Sequence, residues 1–374
     1  MSKRYGVITE KSNCMKHSFC ILVLLLTSYA QQAQPLRMAV AGTSHGHHSW
    51  ILGRKDDSVA KVVAIFEPDL SLADRRVKQY RLDPSLFHND LVRMLDIVRP
   101  EAVVAFGSTY DHLSVVEACA PRGIHVMVEK PLATTVEHAE RMAALAKKHG
   151  IHLLTNYETS WYPTTDMTKR LVFDTAFMGR IRKVVVHDGH PGPKEIGVSE
   201  EFLQWLTDPI LNGGGALTDF GCYGANLMTH LLDGQTPLSV TAITQQLKPH
   251  IYPKVDDEAT ILLTYPTGQG IIQASWNWPF NRKDMAVYGE SGYIVTKNDR
   301  EMVAKGNKGS EKSYVLKPEE TGTQTNPFAY FGDVIRGRVS MPRFGTYTLE
   351  NNLIVVRILE AARRSAATGQ TVRF

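Results

Sequence analysis

Cysteine is scarce: the chain has four in 374 residues. Cys14 and Cys20 fall in an N-terminal stretch that reads as a removable leader, leaving Cys119 and Cys222. Two thiols in so large a chain do not make a disulfide framework, and both stand among apolar or small residues, as core thiols do. Neither sits at metal-ligand spacing. A dense Lys/Arg block is also missing. The net charge of +4 is scattered along the chain, which excludes nucleic acid and anionic membrane as natural partners. Long hydrophobic runs are absent too: the longest candidate, Phe19 to Leu26, is too short to span a bilayer. No repeat, low-complexity tract or run of like charge appears. What remains is 43% hydrophobic and 21% charged, an ordinary globular composition long enough for two cored domains.

The apolar run has a different reading. Lys16 and His17 precede it and Ser28-Tyr29-Ala30 follow, which makes a charged n-region, a short h-region and a small-x-small site. This predicts a signal peptide cleaved near Ala30, with residues 1–34 as signal and leader. It also predicts a periplasmic or secreted protein with no membrane attachment after cleavage. Met15 is a candidate start, and no cysteine follows the cut to carry a lipid.

From residue 35 to 155, strand and helix patterns alternate. Strands are expected at Leu36–Ala41, Val62–Phe66, Ala102–Gly107, Ile124–Val128 and Ile151–Thr155. Asp69, Asn89, Asp111 and a Thr134/Glu137 capping box are the expected helix starts, with Gly123 and Gly150 as helix ends. Such alternation implies a doubly wound parallel sheet, an α/β Rossmann-type domain. After Asn156 the strands become alternating and longer: Lys183–Asp188, Leu238–Gln245, Glu258–Tyr265, Gly270–Trp276 and Asp284–Tyr288. Two helices interrupt them, one from near Gly215 and one from Leu349 to about Ala367. Residues 156–374 therefore read as a C-terminal α+β domain with an open, largely antiparallel sheet. An open sheet face favours a homo-oligomer.

The chemistry concentrates at Val126-Met127-Val128-Glu129-Lys130-Pro131. Proline ends the strand and fixes Lys130 in an extended conformation at its carboxyl end, where doubly wound sheets bind ligands. Gly42 after the first strand and Glu67 at the tip of the second form half of a dinucleotide fingerprint. Glu67 would accept from both ribose hydroxyls and repel a 2′-phosphate, favouring NAD over NADP. Ser44 and His47 stand where the full motif has glycine. His45, His47 and His48 have no carboxylate or cysteine nearby in sequence, so no metal is expected there, and His45 or His47 reads as a phosphate or substrate contact. In the second domain, Gly213-Gly214-Gly215-Ala216-Leu217-Thr218-Asp219-Phe220-Gly221-Cys222-Tyr223 turns into a helix that places Asp219 and Tyr223 on one face. With Lys130 they would make a proton-transfer set, the ammonium lowering the tyrosine pKa.

Glu129-Lys130-Pro131 after alternating strands, then the Gly213–Tyr223 stretch, Asn326-Pro327-Phe328 and the closing Ser365–Val372, resemble the Gfo/Idh/MocA oxidoreductases from about residue 36 to the end. The resemblance implies a Rossmann domain joined to a sheet domain that covers the nicotinamide. It also implies Lys130 at the reacting hydroxyl, with Asp219 and Tyr223 completing the catalytic site. Tyrosine at 223 is similar to the glucose–fructose oxidoreductase branch. Cofactor contacts are then expected at Gly42, Ser44, His45, Glu67, Ser108, His112, Glu129, Lys130 and Asn156. Substrate contacts are expected at Tyr157, Trp161, His190 and Trp205, whose aromatic rings suit sugar C–H faces or, equally, core packing. The expected activity is oxidation of a hydroxyl on a sugar, polyol or glycoside, with the NAD held tightly because little is free outside the cytoplasm. An NAD-dependent glycosidase or lyase using transient oxidation is the alternative. A non-catalytic sugar- or nucleotide-binding protein ranks third.

Overall fold

The computed structural model describes residues 34–56 and 58–374. The signal-peptide expectation lies outside them. No helix among the described residues is long and apolar enough to cross a membrane.

The first sheet contains six parallel strands: β1 (Leu36–Ala41), β2 (Ala60–Phe66), β3 (Phe87–His88), β4 (Ala102–Ala105), β5 (His125–Glu129) and β6 (Leu153–Asn156). Their spatial order is β3-β2-β1-β4-β5-β6, the arrangement that opens a ligand crevice where the order reverses between β1 and β4. Strands such as Ala-Val-Val-Ala in β4 are buried throughout because helices cover both faces. β3 has two residues, too few to register as a periodic pattern, and the sequence reading has no strand there.

Local chemistry sets the helix ends. Asp69 caps the Leu70–Tyr80 helix by accepting from Ser71 N and Leu72 N. Two expected caps move by one residue. Asp90, not Asn89, accepts from Arg93 N. Thr135, not Thr134, accepts from His138 N, so the Thr134/Glu137 capping box does not form. Asp111 sits at a helix start but turns its carboxylate back onto Ser108.

The second sheet has nine strands: β7 (Ile181–Gly189), β8 (Ser239–Gln245), β9 (Glu258–Thr264), β10 (Gln269–Ser275), β11 (Arg282–Gly289), β12 (Tyr293–Thr296), β13 (Glu301–Lys305), β14 (Lys312–Val315) and β15 (Val372–Arg373). The order is β14-β13-β12-β11-β7-β10-β9-β8-β15. Only β7 and β10 run parallel. Inward residues alternate (Val184 and Val186 on β7, Ile261 and Leu263 on β9) and pack beneath the Gly221–Leu231 and Leu349–Thr368 helices. The Pro327–Ile335 helix returns to the first domain instead, where Phe328, Phe331 and Val334 share a core with Met38 and Val40.

Candidate active site

β5 delivers Glu129 to the carboxyl edge of the first sheet, and Pro131, which has no N–H to give and is joined to Lys130 by a cis peptide bond, follows the strand end. Asn156 lies opposite Glu129 in register at the end of β6, and its Nδ2 donates to Glu129 Oε1 at 2.7 Å. Trp161 Nε1 in turn donates to Asn156 Oδ1 at 2.9 Å. Burial opposes the charge on Glu129. The facing His47 and His45 and the Asn156 hydrogen bond outweigh it and hold the pKa at about 2.

Lys130 reaches across to the second domain. Its Nζ donates to the Asp219 main-chain oxygen at 3.1 Å and forms an ion pair with Asp219 Oδ1. Trp276 Nε1 donates to the other carboxylate oxygen at 2.9 Å. Burial favours the neutral form of each partner, but their mutual attraction prevails: Lys130 is raised and Asp219 lowered from its ordinary value. Asp219 is positioned by the glycine turn. A Cβ on Gly215 would overlap the Asp256 carbonyl oxygen, so the close approach requires glycine. The Asp256 carboxylate then accepts from Gly215 N and Leu217 N, capping the short Ala216–Asp219 helix.

Two expectations about this segment need correction. Asp219 and Tyr223 do not share one continuous helix, because the helix breaks at Phe220 and restarts at Gly221. The Tyr223 pKa is not lowered by Lys130. Burial raises it well above the ordinary value, so the phenol keeps its proton. Its ring nevertheless lies near two ammonium groups, with Lys130 Nζ at 5.2 Å and Lys283 Nζ at 5.0 Å from the centroid.

A cavity of about 680 Å³ joins these groups, lined by His45, His47, Lys130, His190, Asp219 and Tyr223 together with Glu158, Tyr162 and Lys283. His190 Nδ1 accepts from Gly192 N at 2.9 Å, and burial lowers its pKa, so the neutral ring carries its proton on Nε2. Tyr157, Trp161 and Trp205 are buried and lie outside this lining. Tyr157 packs edge-on against Tyr223, Trp161 stacks on Tyr347, and Trp205 lies against His45 and Phe202.

Sequence reasoning missed Lys283, Glu158, Trp276 and Asp188. Lys283 on β11 pairs with Glu158, which also accepts from Tyr162 Oη at 2.5 Å. Asp188 near the end of β7 is buried with neither carboxyl oxygen hydrogen-bonded, and burial holds it well above the usual carboxylate range. The one available signal was Arg282-Lys283-Asp284, three charges at the start of a strand entering a core.

The remaining candidates ring the crevice. Gly42 has φ +77°, and a Cβ there would stand 2.8 Å from Gly107 N, so only glycine lets β1 turn this close to the neighbouring strand end. Glu67 accepts from Thr43 N at 2.9 Å and Thr43 Oγ1 at 2.7 Å, tying the tip of β2 to that turn. Ser108 Oγ donates to Asp111. His112 Nδ1 faces the Leu132 carbonyl at 3.2 Å, while its buried Nε2 has no partner. The Gly42 cradle, the carboxylate at the tip of β2 and this orphaned nitrogen fit a dinucleotide laid across the sheet edge.

Fold and site together define a two-domain, nicotinamide-dependent dehydrogenase. Residues 36–157 match the oxidoreductase family with an NAD-binding Rossmann fold, and residues 168–295 match the GFO/IDH/MocA C-terminal domain. The chain belongs to the Gfo/Idh/MocA family of NAD(P)-dependent sugar and polyol oxidoreductases. It is 26% identical over 243 residues to a trans-1,2-dihydrobenzene-1,2-diol dehydrogenase from Xenopus tropicalis, covering 64% of this chain and 68% of that one. It is 27% identical over 198 residues to an NADP⁺-dependent D-xylose 1-dehydrogenase from Haloarcula marismortui, covering 52% and 51%. Among solved structures, an inositol dehydrogenase homolog from Azotobacter vinelandii complexed with NAD⁺ superposes with a TM-score of 0.79 at 19% identity, covering 91% of this chain and 98% of that one. An aldose–aldose oxidoreductase from Caulobacter crescentus complexed with glycerol gives 0.73 at 22% identity, covering 91% and 100%.

Proposed function

We propose that this protein is an exported oxidoreductase that interconverts a CH–OH group and a carbonyl on a sugar, polyol or glycoside, using tightly held NAD. The observation that carries this reading is the hydrogen-bond count at Lys130. An ammonium has three N–H donors, and Asp219 takes two of them, leaving one for a substrate oxygen in the cavity. In the reducing direction that donor polarises the carbonyl and passes a proton to its oxygen, and in the oxidising direction the same nitrogen, as the neutral amine, takes the hydroxyl proton. The Tyr223 phenol supplies a second donor in the same cavity. The neutral His190 ring offers a third through Nε2, and the Lys283–Glu158 pair faces further hydroxyls.

The groups that would hold the cofactor are Gly42, Ser44, His45, Glu67, Ser108, His112, Glu129 and Asn156, and the bound nicotinamide supplies the hydride acceptor. Glu67, already a carboxylate-type acceptor at the tip of β2, supports NAD over NADP. The 16–30 segment supports export with cleavage near Ala30. The open face of the second sheet, with Ile243 and Tyr288 exposed, supports a homo-oligomer.

NADH fluorescence titration combined with turnover on a panel of aldoses and polyols tests the reading. Native protein should bind NADH, and Lys130→Met should keep that binding while losing turnover by about 10²-fold or more. Native protein that neither releases a nicotinamide on denaturation nor binds added NADH, or Lys130→Met that turns over normally, would sink it. The N-terminal residue of the exported protein tests cleavage near Ala30.

A further inference from the structure

The cavity beside Lys130 has two kinds of lining. Lys130, Arg282, Lys283 and Lys297 bring four positive charges to it, and Glu158, Asp219, Asp284 and Asp299 bring four negative ones. Most of these are paired directly: Lys130 with Asp219, Lys283 with Glu158, Arg282 with Asp284. A second part is apolar and comes mainly from one stretch of chain, Pro193, Ile196, Val198, Phe202 and Leu206, joined by Phe280 from the loop before β11. We infer that the substrate is an uncharged glycoside, its sugar ring among the paired charges beside Lys130 and its apolar aglycone at the opening of the cavity, against Ile196 and Phe280. This names the substrate class of the oxidoreductase reading above and rests on it.

A sugar hydroxyl both donates and accepts, and each ion pair offers it an acceptor and a donor. A sugar phosphate or a uronate would meet as many carboxylates as cations, with no net charge to offset its loss of water. Burial then orders the two parts. Lys130 and Asp219 are 8% and 5% exposed, whereas Ile196 is 46% and Phe280 57% exposed. The pair that meets the reacting hydroxyl therefore lies at the closed end, and the two apolar side chains stand at the opening. Phe202 packs on His45, with ring centroids 4.6 Å apart, and so belongs to the side that borders the cofactor crevice. Pro193, Ile196, Val198 and Phe280 are left for the substrate. One exposed apolar side chain is ordinary. Two from separate loops, lining one opening with Pro193 and Val198, make an apolar surface continuous with the polar site. A free sugar or polyol has nothing apolar to cover it. An aglycone does, and its attachment at the anomeric oxygen leaves the ring hydroxyls to reach Lys130.

Calorimetry and turnover on a matched series test this, with each sugar of the panel supplied free and as its methyl, butyl and hexyl glycosides, and methyl glucuronide as the charged control. Affinity should rise by about fourfold for each methylene that enters the groove, and by at least about tenfold from methyl to hexyl. The heat-capacity change of binding should become more negative along the series. In turnover the gain should appear in KM rather than kcat, because the aglycone is remote from the reacting carbon. Ile196→Ser and Phe280→Ser should each cut the hexyl gain by at least about threefold. Both should leave the methyl glycoside as it was, which also shows that they fold. Equal affinity for methyl and hexyl glycosides, or the full gain kept in both variants, overturns the apolar subsite. Tighter binding of the glucuronide than of the uncharged glycosides overturns the charge argument, and no saturable binding of any glycoside overturns the whole inference. Free sugars that turn over with no gain from an aglycone count against the inference and leave the oxidoreductase reading standing. Hexyl glycosides that bind with the expected gain but never turn over count against that reading and leave the subsite standing.

Discussion

The pair Lys130–Asp219 joins two residues 89 positions apart, both buried, one from each domain. Replacing Asp219 by Asn keeps the shape of the side chain but leaves the ammonium buried without its counter-charge. Breaking a buried pair from one side costs about 3–5 kcal/mol, because the remaining charge has neither water nor partner. Lys130→Met strands the carboxylate instead, with only Trp276 donating to it, and falls in the same range. The double variant removes both charges, so its loss should be smaller than the sum of the single losses by about 3 kcal/mol or more. Urea unfolding followed by tryptophan fluorescence measures this as shifts in midpoint at constant m. The pH dependence adds a second check. Without Asp219, burial pushes the folded-state lysine pKa below its unfolded value. The unfolded chain then binds the extra proton between those two values, so the stability of Asp219→Asn rises with pH through that window. Single losses that add to within about 0.5 kcal/mol in the double variant would refute the reasoning, since the two charges would then be independent.

Trp276→Phe removes the indole donor from Asp219 Oδ2. Hydrogen bonds to charged groups are worth about 1.5–3 kcal/mol, so stability should drop by that order, and the acid limb of the kcat/KM profile should move to higher pH as Asp219 becomes easier to protonate. Gly215→Ala forces the chain away from the Asp256 carbonyl and should destabilise by about 1–3 kcal/mol in urea melts, with kcat falling because Asp219 follows the displaced turn. His230, buried with Nδ1 donating to the Phe344 carbonyl at 2.8 Å, has its pKa lowered by burial to about 4. Because the unfolded chain takes up the proton first, folded stability is full above about pH 6.5 and falls toward pH 4 by up to about 3 kcal/mol, and His230→Gln should flatten that slope in unfolding titrations.

The parts of this site legible in the sequence are those where backbone constraint and chemistry coincide. Proline after Glu129-Lys130 marks a strand end, and three consecutive glycines mark a turn that side chains would block. Both signals are local. Trp276 carries no local signal of function and Lys283 only the two charges beside it, because each matters through a partner 57 or 125 positions away. The register of β10 and β11 against β7 brings them there, and pairing register is set by tertiary packing rather than by local pattern. Short strands were hidden for a related reason: two residues in β3 and four in β12 are too few to show a period. The error over Tyr223 was one of sign. A lysine nearby suggests a lowered pKa, but the cost of burying a phenolate, which no sequence displays, is the larger effect.

The tip of β5 divides its two charges between the domains. Glu129 is held from its own side, by Asn156 on the adjacent strand and by His47 on the loop after β1. Lys130, one residue later, makes both its hydrogen bonds to Asp219 in the second domain. Adjacent residues at a strand end point in opposite senses, so one short stretch can serve two ligands. The anion faces the crevice in which a dinucleotide would lie, and the cation lines the cavity where a hydroxyl would react. The cation is useful there only while Asp219 sets its position, and Asp219 depends on the close approach of Gly215 to Asp256. The glycine turn of the second domain and the proline-terminated strand of the first are thus two ends of one hydrogen-bonded chain, and displacing either end moves the ammonium.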